Sequence, residues 1–516
     1  MKSRTWKAAL GLVGACAAVF AGAVAPAAPA QAADTIDPNA AVTLNIYKYV
    51  GDPVSPQPAP GTAPTGLDPL PGVTFEVKRL TNVDLTTSAG WATLSSVTAA
   101  QLSDGDTAND GGVTLGGPVT KVTDAQGLAS FTNPDIKVGA YLVTEKQLGN
   151  YTVAAPFIVT LPHEGANGAW DYTQNVYPKN QKIQPTKAVN DDKATLGQNI
   201  DYTVNLPVPA GDLTAFGMED QLVAYLTLVA KSVTVKASNT KVTLDPATDY
   251  TIDTANKKLT VTFTEAGRKK LQKQRVSDPA LAVSVGFSAT VNSIPTSGVI
   301  TNTATLIGPN GMRITTDVDK NGDGKPDPAS TTFANLVVTK TGPAGTDNAA
   351  LNGAVFELYR CTETAPGSGK YALSDNALTM WTTDAEGKKV TSTTITTAKG
   401  VTGGAASTAQ AFDVPVSSTN TDATGTIPET YCVLETDAPA GFVRNPEPIL
   451  VTYTPGEGGN AGTLTASVMN QKNTILGKLP ATGAWGVGLI LLLGLVLVIR
   501  GIVTSRRDRE DQPTVA

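Results

Sequence analysis

Histidine is almost missing from this chain: 516 residues contain one, His163, together with three cysteines and 6% aromatic side chains. So little imidazole and thiol excludes His-rich metal centres and leaves almost nothing for Ser-His or Cys-His catalysis. A conventional hydrolase is not expected. Long basic stretches are also missing, and 39 Lys and Arg against 45 Asp and Glu give a formal charge of −6. The positive footprint that nucleic-acid binding requires is therefore lacking, and nucleic acid is not an expected partner. What is abundant is turn and strand material: 49 glycines, 34 prolines and many Thr and Val. That composition favours an all-β fold over helices, and the length exceeds what one core can organise.

Long apolar stretches stand at the two ends. Lys2 and Arg4 precede the run from Ala8 to Val24, and Ala30-Gln31-Ala32 then offers a signal-peptidase site, so residues 1–32 read as a signal peptide. At the other end Leu479-Pro480-Ala481-Thr482-Gly483 precedes an apolar stretch from Ala484 to Ile499, then Arg500 and the pair Arg506-Arg507. That stretch is barely long enough to cross about 30 Å of hydrocarbon without Arg500 snorkelling, and its basic end fits a cytoplasmic side. Removing both ends (516 − 32 − 34) leaves 450 residues, enough for three domains of about 150.

Lysines interrupt three apolar faces. Val42, Leu44, Ile46, Lys48 and Val50 alternate at period two, as do Ile183, Pro185, Lys187 and Val189, and Leu336, Val338 and Lys340. A lysine aimed into a core is costly unless its charge is removed. The first and last of these segments begin related domains. Leu70-Pro71-Gly72-Val73-Thr74-Phe75-Glu76-Val77 resembles Leu351-Asn352-Gly353-Ala354-Val355-Phe356-Glu357-Leu358, and Tyr141-Leu142-Val143-Thr144-Glu145 resembles Tyr431-Cys432-Val433-Leu434-Glu435. Glu145 follows Lys48 by 97 residues (145 − 48) and Glu435 follows Lys340 by 95 (435 − 340); Asn180 and Asn470 each follow their glutamate by 35 (180 − 145, 470 − 435).

Lysine, carboxyl and asparagine recurring in register suggest a reaction. Burial would hold the amine neutral and the carboxyl protonated, so that the carboxyl polarises the amide and the amine attacks Asn Cγ. Ammonia leaves, and an isopeptide ties the first strand to the last. The alternative is a buried Lys-Glu ion pair capped by Asn; for the first domain the two readings stand level, because Glu145-Lys146-Gln147-Leu148-Gly149 lacks the Ala438-Pro439-Ala440-Gly441 that follows Glu435.

These residues carry a family resemblance. Tyr431 to Phe442 resembles the E-box of sortase-assembled Gram-positive shaft pilins, and Trp170 with Val176-Tyr177-Pro178-Lys179-Asn180 resembles their pilin motif, with Gln174 where an apolar residue is usual. Leu479 to Gly483 before a hydrophobic stretch and a basic tail resembles their sorting signal. The resemblance is to major pilins of the type-2 fimbria kind from actinobacteria. It implies three tandem immunoglobulin-like sandwiches of the collagen-adhesin B type, at 33–180, 181–335 and 336–478, and a sorting signal over 479–516. It also implies cleavage between Thr482 and Gly483, wall anchoring to peptidoglycan, and Lys179 as the amine that joins Thr482 of another subunit. Implied partners are identical pilin subunits, a pilus-specific sortase and a tip or minor pilin, with a host-surface receptor open. In the middle domain Phe216 to Leu222 resembles the early acidic strand and Ile300 to Ala304 the Asn-bearing strand, pointing to Lys187, Asp220 and Asn302, with Glu219 as rival to Asp220. If Asn180 points inward, alternation turns Lys179 outward. A monomeric wall-anchored adhesin would share these features without needing Lys179.

Two smaller sets remain. Cys16 leaves with the signal peptide, so Cys361 and Cys432 form an even pair in an oxidising compartment; a disulfide is expected, two buried thiols being the alternative. Asp317, Asp319, Asn321, Asp323 and Asp327 alternate around a glycine turn in the manner of a calcium loop, although Pro328 stands where the twelfth-position glutamate belongs. A metal-free acidic hairpin is the other reading. The Ser/Thr/Gly-rich stretches 81–130 and 362–426 read as insertions or exposed loops.

Overall fold

The computed structural model describes residues 35–53, 63–165, 168–191, 194–317, 319, 327–374, 376–384, 386–398, 407–418, 427–428, 430–473 and 491–500. The signal peptide, Asn321 and Asp323 of the acidic loop, and the segment Leu479 to Gly483 with Thr482 lie outside the described residues. Residues 491–500 are helical, and no described helix is long and apolar enough to cross a membrane. The chain divides into two compact units: Met1–Val189, Asp201–Ala289 and Thr301–Ala329 in one, Asn190–Ile200, Thr290–Ile300 and Ser330–Ala516 in the other.

The architecture is all-β, as composition led us to expect, and built of the β-sandwiches that the family resemblance implies. In the first sandwich a sheet of order Thr173–Val176, Thr43–Tyr47, Leu128–Thr132 packs on one of order Leu115–Val122, Thr74–Leu80, Gly139–Glu145, Phe157–Leu161. Leu44, Ile46 and Phe131 from the first sheet and Phe75, Val77 and Val143 from the second are all 0% exposed and share one core. The middle sandwich pairs Thr186–Asn190, Asn199–Pro207, Ala282–Val291 and Leu226–Leu228 in one sheet. Its other sheet has the order Tyr250–Asp253, Lys258–Phe263, Gly217–Gln221, Thr305–Ile307, Arg313–Thr315. The third sandwich centres Ala329–Thr341 between Thr408–Ser418 and Gly462–Met469, and faces it with Val355–Glu363, Tyr431–Asp437 and Ile449–Leu450. In both outer sandwiches the lysine-bearing strand runs parallel to the asparagine-bearing one, so the first and last segments of each domain are neighbours.

The stretch 81–130 is not a loop. It forms the helices Ser88–Ser95 and Ala99–Ser103, and Val83, Leu85, Val97, Leu102 and Val113 enter the core. Thr87 and Thr98 cap the helices, Thr98 in a reciprocal capping box with Gln101; the polar residues that read as loop composition are caps. The stretch 362–426 likewise supplies strands, among them Met380–Thr383 and Thr408–Ser418, with Met380, Ala409 and Ala411 buried. Gln174, placed where an apolar side chain is usual, leaves its Oε1 buried without a hydrogen-bond partner.

Candidate functional site

Period-two alternation delivers all three lysines to their cores: Lys48 is 0%, Lys187 3% and Lys340 1% exposed. Each meets a carboxyl group whose side chain is also sealed from solvent. In the first sandwich Lys48 Nζ donates to Glu145 Oε2 at 2.5 Å and to Asn180 Oδ1 at 2.6 Å, and Asn180 Nδ2 donates to Glu145 Oε1. In the third, Lys340 Nζ donates to Asn470 Oδ1 at 2.5 Å and to Val468 O at 2.9 Å, and lies 3.3 Å from Glu435 Oε1. Asn470 Nδ2 donates to that same Oε1 at 2.8 Å. The strand repeat noted in the sequence explains the match, because Phe75 pairs with Glu145 and Phe356 pairs with Glu435 in the two facing sheets.

Those phenylalanines, which the sequence reading did not single out, line the lysine sites. The Phe75 ring lies 5.7 Å below Lys48 Nζ and the Phe356 ring 5.9 Å below Lys340 Nζ. In the middle sandwich Lys187 Nζ sits 4.5 Å from the Tyr202 ring and 5.3 Å from that of Phe287. The Val-Phe-Glu common to both outer repeats was the available signal; Tyr202 and Phe287 had none beyond period-two patterning.

In the middle sandwich Lys187 Nζ hydrogen-bonds Asp220 Oδ2, with both side chains fully buried. Asn302, 2% exposed, stands beside Asp220. Neither polar atom of its side chain makes a well-formed hydrogen bond, and Asp220 Oδ1 is likewise unpartnered. Glu219, the rival acid, points away and binds the half-exposed Arg313 at 2.7 Å.

Burial works against the charged form of each lysine. Burial pushes Lys48 and Lys340 below the ordinary lysine pKa against the opposing pull of Glu145 and Glu435. Lys187 is lowered by desolvation to about 8 despite Asp220. Burial also raises Asp220, outweighing Lys187 and the Asn302 amide. A desolvated amine, a carboxyl and a carboxamide gathered in one buried site are the ingredients for amide exchange with loss of ammonia. The same groups as simple ion pairs would contribute little stability.

Lys179 departs from expectation. Asn180 does point inward to Lys48, but Lys179 is only 6% exposed instead of facing freely outward. The strand Lys179–Asn180 pairs with Tyr49–Val50, and the chain then folds back so that a Cβ placed at Gly51 would lie 3.6 Å from Lys179 Cδ and 3.2 Å from Leu67. The lysine stem is thus covered by the segment after its partner strand.

Cys361 and Cys432 form the expected disulfide within the third sandwich, 71 residues apart. Among the described residues no group of three or more His, Cys, Asp or Glu could hold a metal; of the acidic loop only Asp317, Asp319 and Asp327 are described.

Residues 39–181 match the family of Gram-positive pilin subunit D1, N-terminal domain. The chain is 31% identical to "Fimbrial subunit type 1" of Actinomyces viscosus, with 99% of each chain covered. It is 30% identical to "Fimbrial subunit type 2" of Actinomyces naeslundii, with 94% of each covered. Among solved structures it is similar to the full-length major pilin SpaD of Corynebacterium diphtheriae, at TM-score 0.55 and 27% identity over 85% of this chain and 99% of that one. The fold is shared with the C. diphtheriae major pilin SpaA, at TM-score 0.57 and 22% identity over 84% of this chain and 100% of that one. With buried lysine–carboxyl–asparagine sets in register and full-length likeness to fimbrial subunits, the chain belongs to the Gram-positive fimbrial pilin family.

Proposed function

We propose that this protein is the covalent shaft subunit of a surface pilus, joined by a pilus-specific sortase through Lys179 of one subunit and Thr482 of the next. The peptide bond from Thr482 to Gly483 breaks, the enzyme carries the Thr482 acyl group, and Lys179 Nζ receives it as a new amide. Within each subunit the pairs Lys48–Asn180, Lys187–Asn302 and Lys340–Asn470 close as isopeptides, with Glu145, Asp220 and Glu435 as their acids. The observation that carries this reading is the position of Lys179. It is joined in sequence to Asn180, which Lys48 grips at 2.6 Å. Closing that bond anchors the acceptor strand at the point where a neighbouring subunit would pull. The role is structural, and the last subunit would pass to peptidoglycan by the same chemistry at Thr482. The acidic loop from Asp317 to Asp327 would take calcium as a structural ion.

Immunoblots of cell walls test the reading. A ladder of SDS-resistant multimers that collapses to a monomer band in Lys179→Ala supports it; a single wall-linked band in the parent strain contradicts it and leaves a monomeric anchored adhesin.

A further inference from the structure

We propose that the loop behind Glu435 is a positioning device for the Lys340–Asn470 bond, in which the main-chain N–H of Asn445, held by Arg444, fixes which oxygen of Glu435 faces the two reacting nitrogens. This rests on the crosslinking reading above. Asn445 N donates to Glu435 Oε2 at 2.7 Å, while the reacting nitrogens address only Oε1, Asn470 Nδ2 at 2.8 Å and Lys340 Nζ at 3.3 Å. With Oε2 occupied by a main-chain N–H, the carboxyl is held so that Oε1 alone meets the reacting pair. That single oxygen then touches both nitrogens whose protons must move. As the Nζ–Cγ bond forms and the Cγ–Nδ2 bond breaks, Oε1 takes a proton from Nζ and passes one to Nδ2. Ammonia leaves, and Glu435 returns to its starting state.

The loop is anchored on the Glu435 strand and on the segment that follows Asn470. Arg444 Nη1 donates to Glu435 O at 3.1 Å. Val443 pairs with Gln471 and Phe442 with Lys472, directly after Asn470, and Asn473 N donates to Gly441 O at 2.7 Å. Pro446 confines Asn445 to extended backbone. Among the described residues Glu145 has no such donor: its Oε2 faces Lys48 and its Oε1 faces Asn180, so its two oxygens divide the reacting pair between them.

The test follows the Lys340–Asn470 linked peptide by mass spectrometry after synthesis of the full mature chain, at several pH values. Asn445→Pro deletes the N–H, Asn445→Ala keeps it, and Arg444→Ala and Arg444→Lys probe the anchor. Oxidation of Cys361 and Cys432, three residues from Glu435, reports that the strands have paired. The expected result is a roughly tenfold or greater slowing with an altered pH profile in Asn445→Pro, the size of one well-placed hydrogen bond in a proton transfer. Arg444→Ala should slow less, with parent-like rates in Asn445→Ala and Arg444→Lys. Disulfide-bonded Asn445→Pro that crosslinks at the parent's rate and pH profile overturns the proposal. Should that variant fail to oxidise, parent-rate crosslinking in Arg444→Ala overturns it instead. A parent that never forms the linked peptide refutes the crosslinking reading itself.

Discussion

The first and third sandwiches place lysine, glutamate and asparagine with the same strand register, yet they use the turn after the glutamate differently. In the third, Ala438-Pro439-Ala440-Gly441 turns through Gly441 at φ +85° and returns the chain so that Asn445 reaches Glu435. In the first, Gly149 at φ +48° makes the corresponding turn, but Gln147 spends its amide on the middle sandwich. It accepts from Arg313 N at 2.8 Å and donates to Arg313 O at 2.7 Å. One turn serves the acid of its own domain; the other ties two sandwiches of the same unit together. Motif departure at that turn is thus a change of use, while the strand pairing that brings the three reacting groups together persists.

Breaking each acid in turn gives the largest expected effects. Glu145→Ala should leave Lys48 and Asn180 unlinked, adding back about 17 Da of ammonia, and should lower stability by about 4 to 5 kcal/mol, the entropy of closing a loop of this length. The loop spans 132 residues, and no disulfide shares it. Glu435→Ala should restore the same mass in the third sandwich, where the link spans 130 residues. Its stability loss should be smaller than for Glu145→Ala, because the disulfide over 71 residues already constrains part of the loop. Chemical denaturation with intact mass measures both; equal losses would break the comparison.

A pH series sharpens the view of the middle sandwich. In Asn302→Ala the Lys187 amine cannot be consumed. Its folded pKa of about 8 lies below its unfolded value of 10.5, so the unfolded state binds more protons between them. Stability should therefore rise with pH through that window, by at most about 1.4 kcal/mol per unit. The parent, with its amine locked in an amide, should show no such rise. The smallest effect concerns the acidic loop: calcium should raise the melting temperature of the parent by a degree or two, as mass action on a weak site gives, and Asp317→Ala should remove that increment. No shift with calcium returns the loop to a metal-free turn.

Much of this was legible in the sequence. Alternation placed Lys48, Lys187 and Lys340 in their cores, and equal spacings of 35 residues put each outer asparagine with its glutamate. What was not legible came from three physical sources. The burial of Lys179 follows from Gly51 and Leu67 covering the second face of its strand, a long-range event that alternation does not describe. The helices within 81–130 were hidden because Thr87 and Thr98 serve as caps in a composition that otherwise reads as loop. The Asn445 contact uses a main-chain donor, which leaves no mark on residue type.

The central claim is that these buried sets are covalent links, and intact mass of the recombinant chain from 33 to 478, with tandem sequencing of linked peptides, tests it most directly. The account predicts three losses of about 17 Da and one of about 2 Da, from three amides formed with release of ammonia and one disulfide, following from desolvated buried amines and paired thiols. The linked peptides should join Lys48 to Asn180, Lys187 to Asn302 and Lys340 to Asn470. A mass equal to the unlinked chain would contradict it, and would reduce all three sets to buried ion pairs.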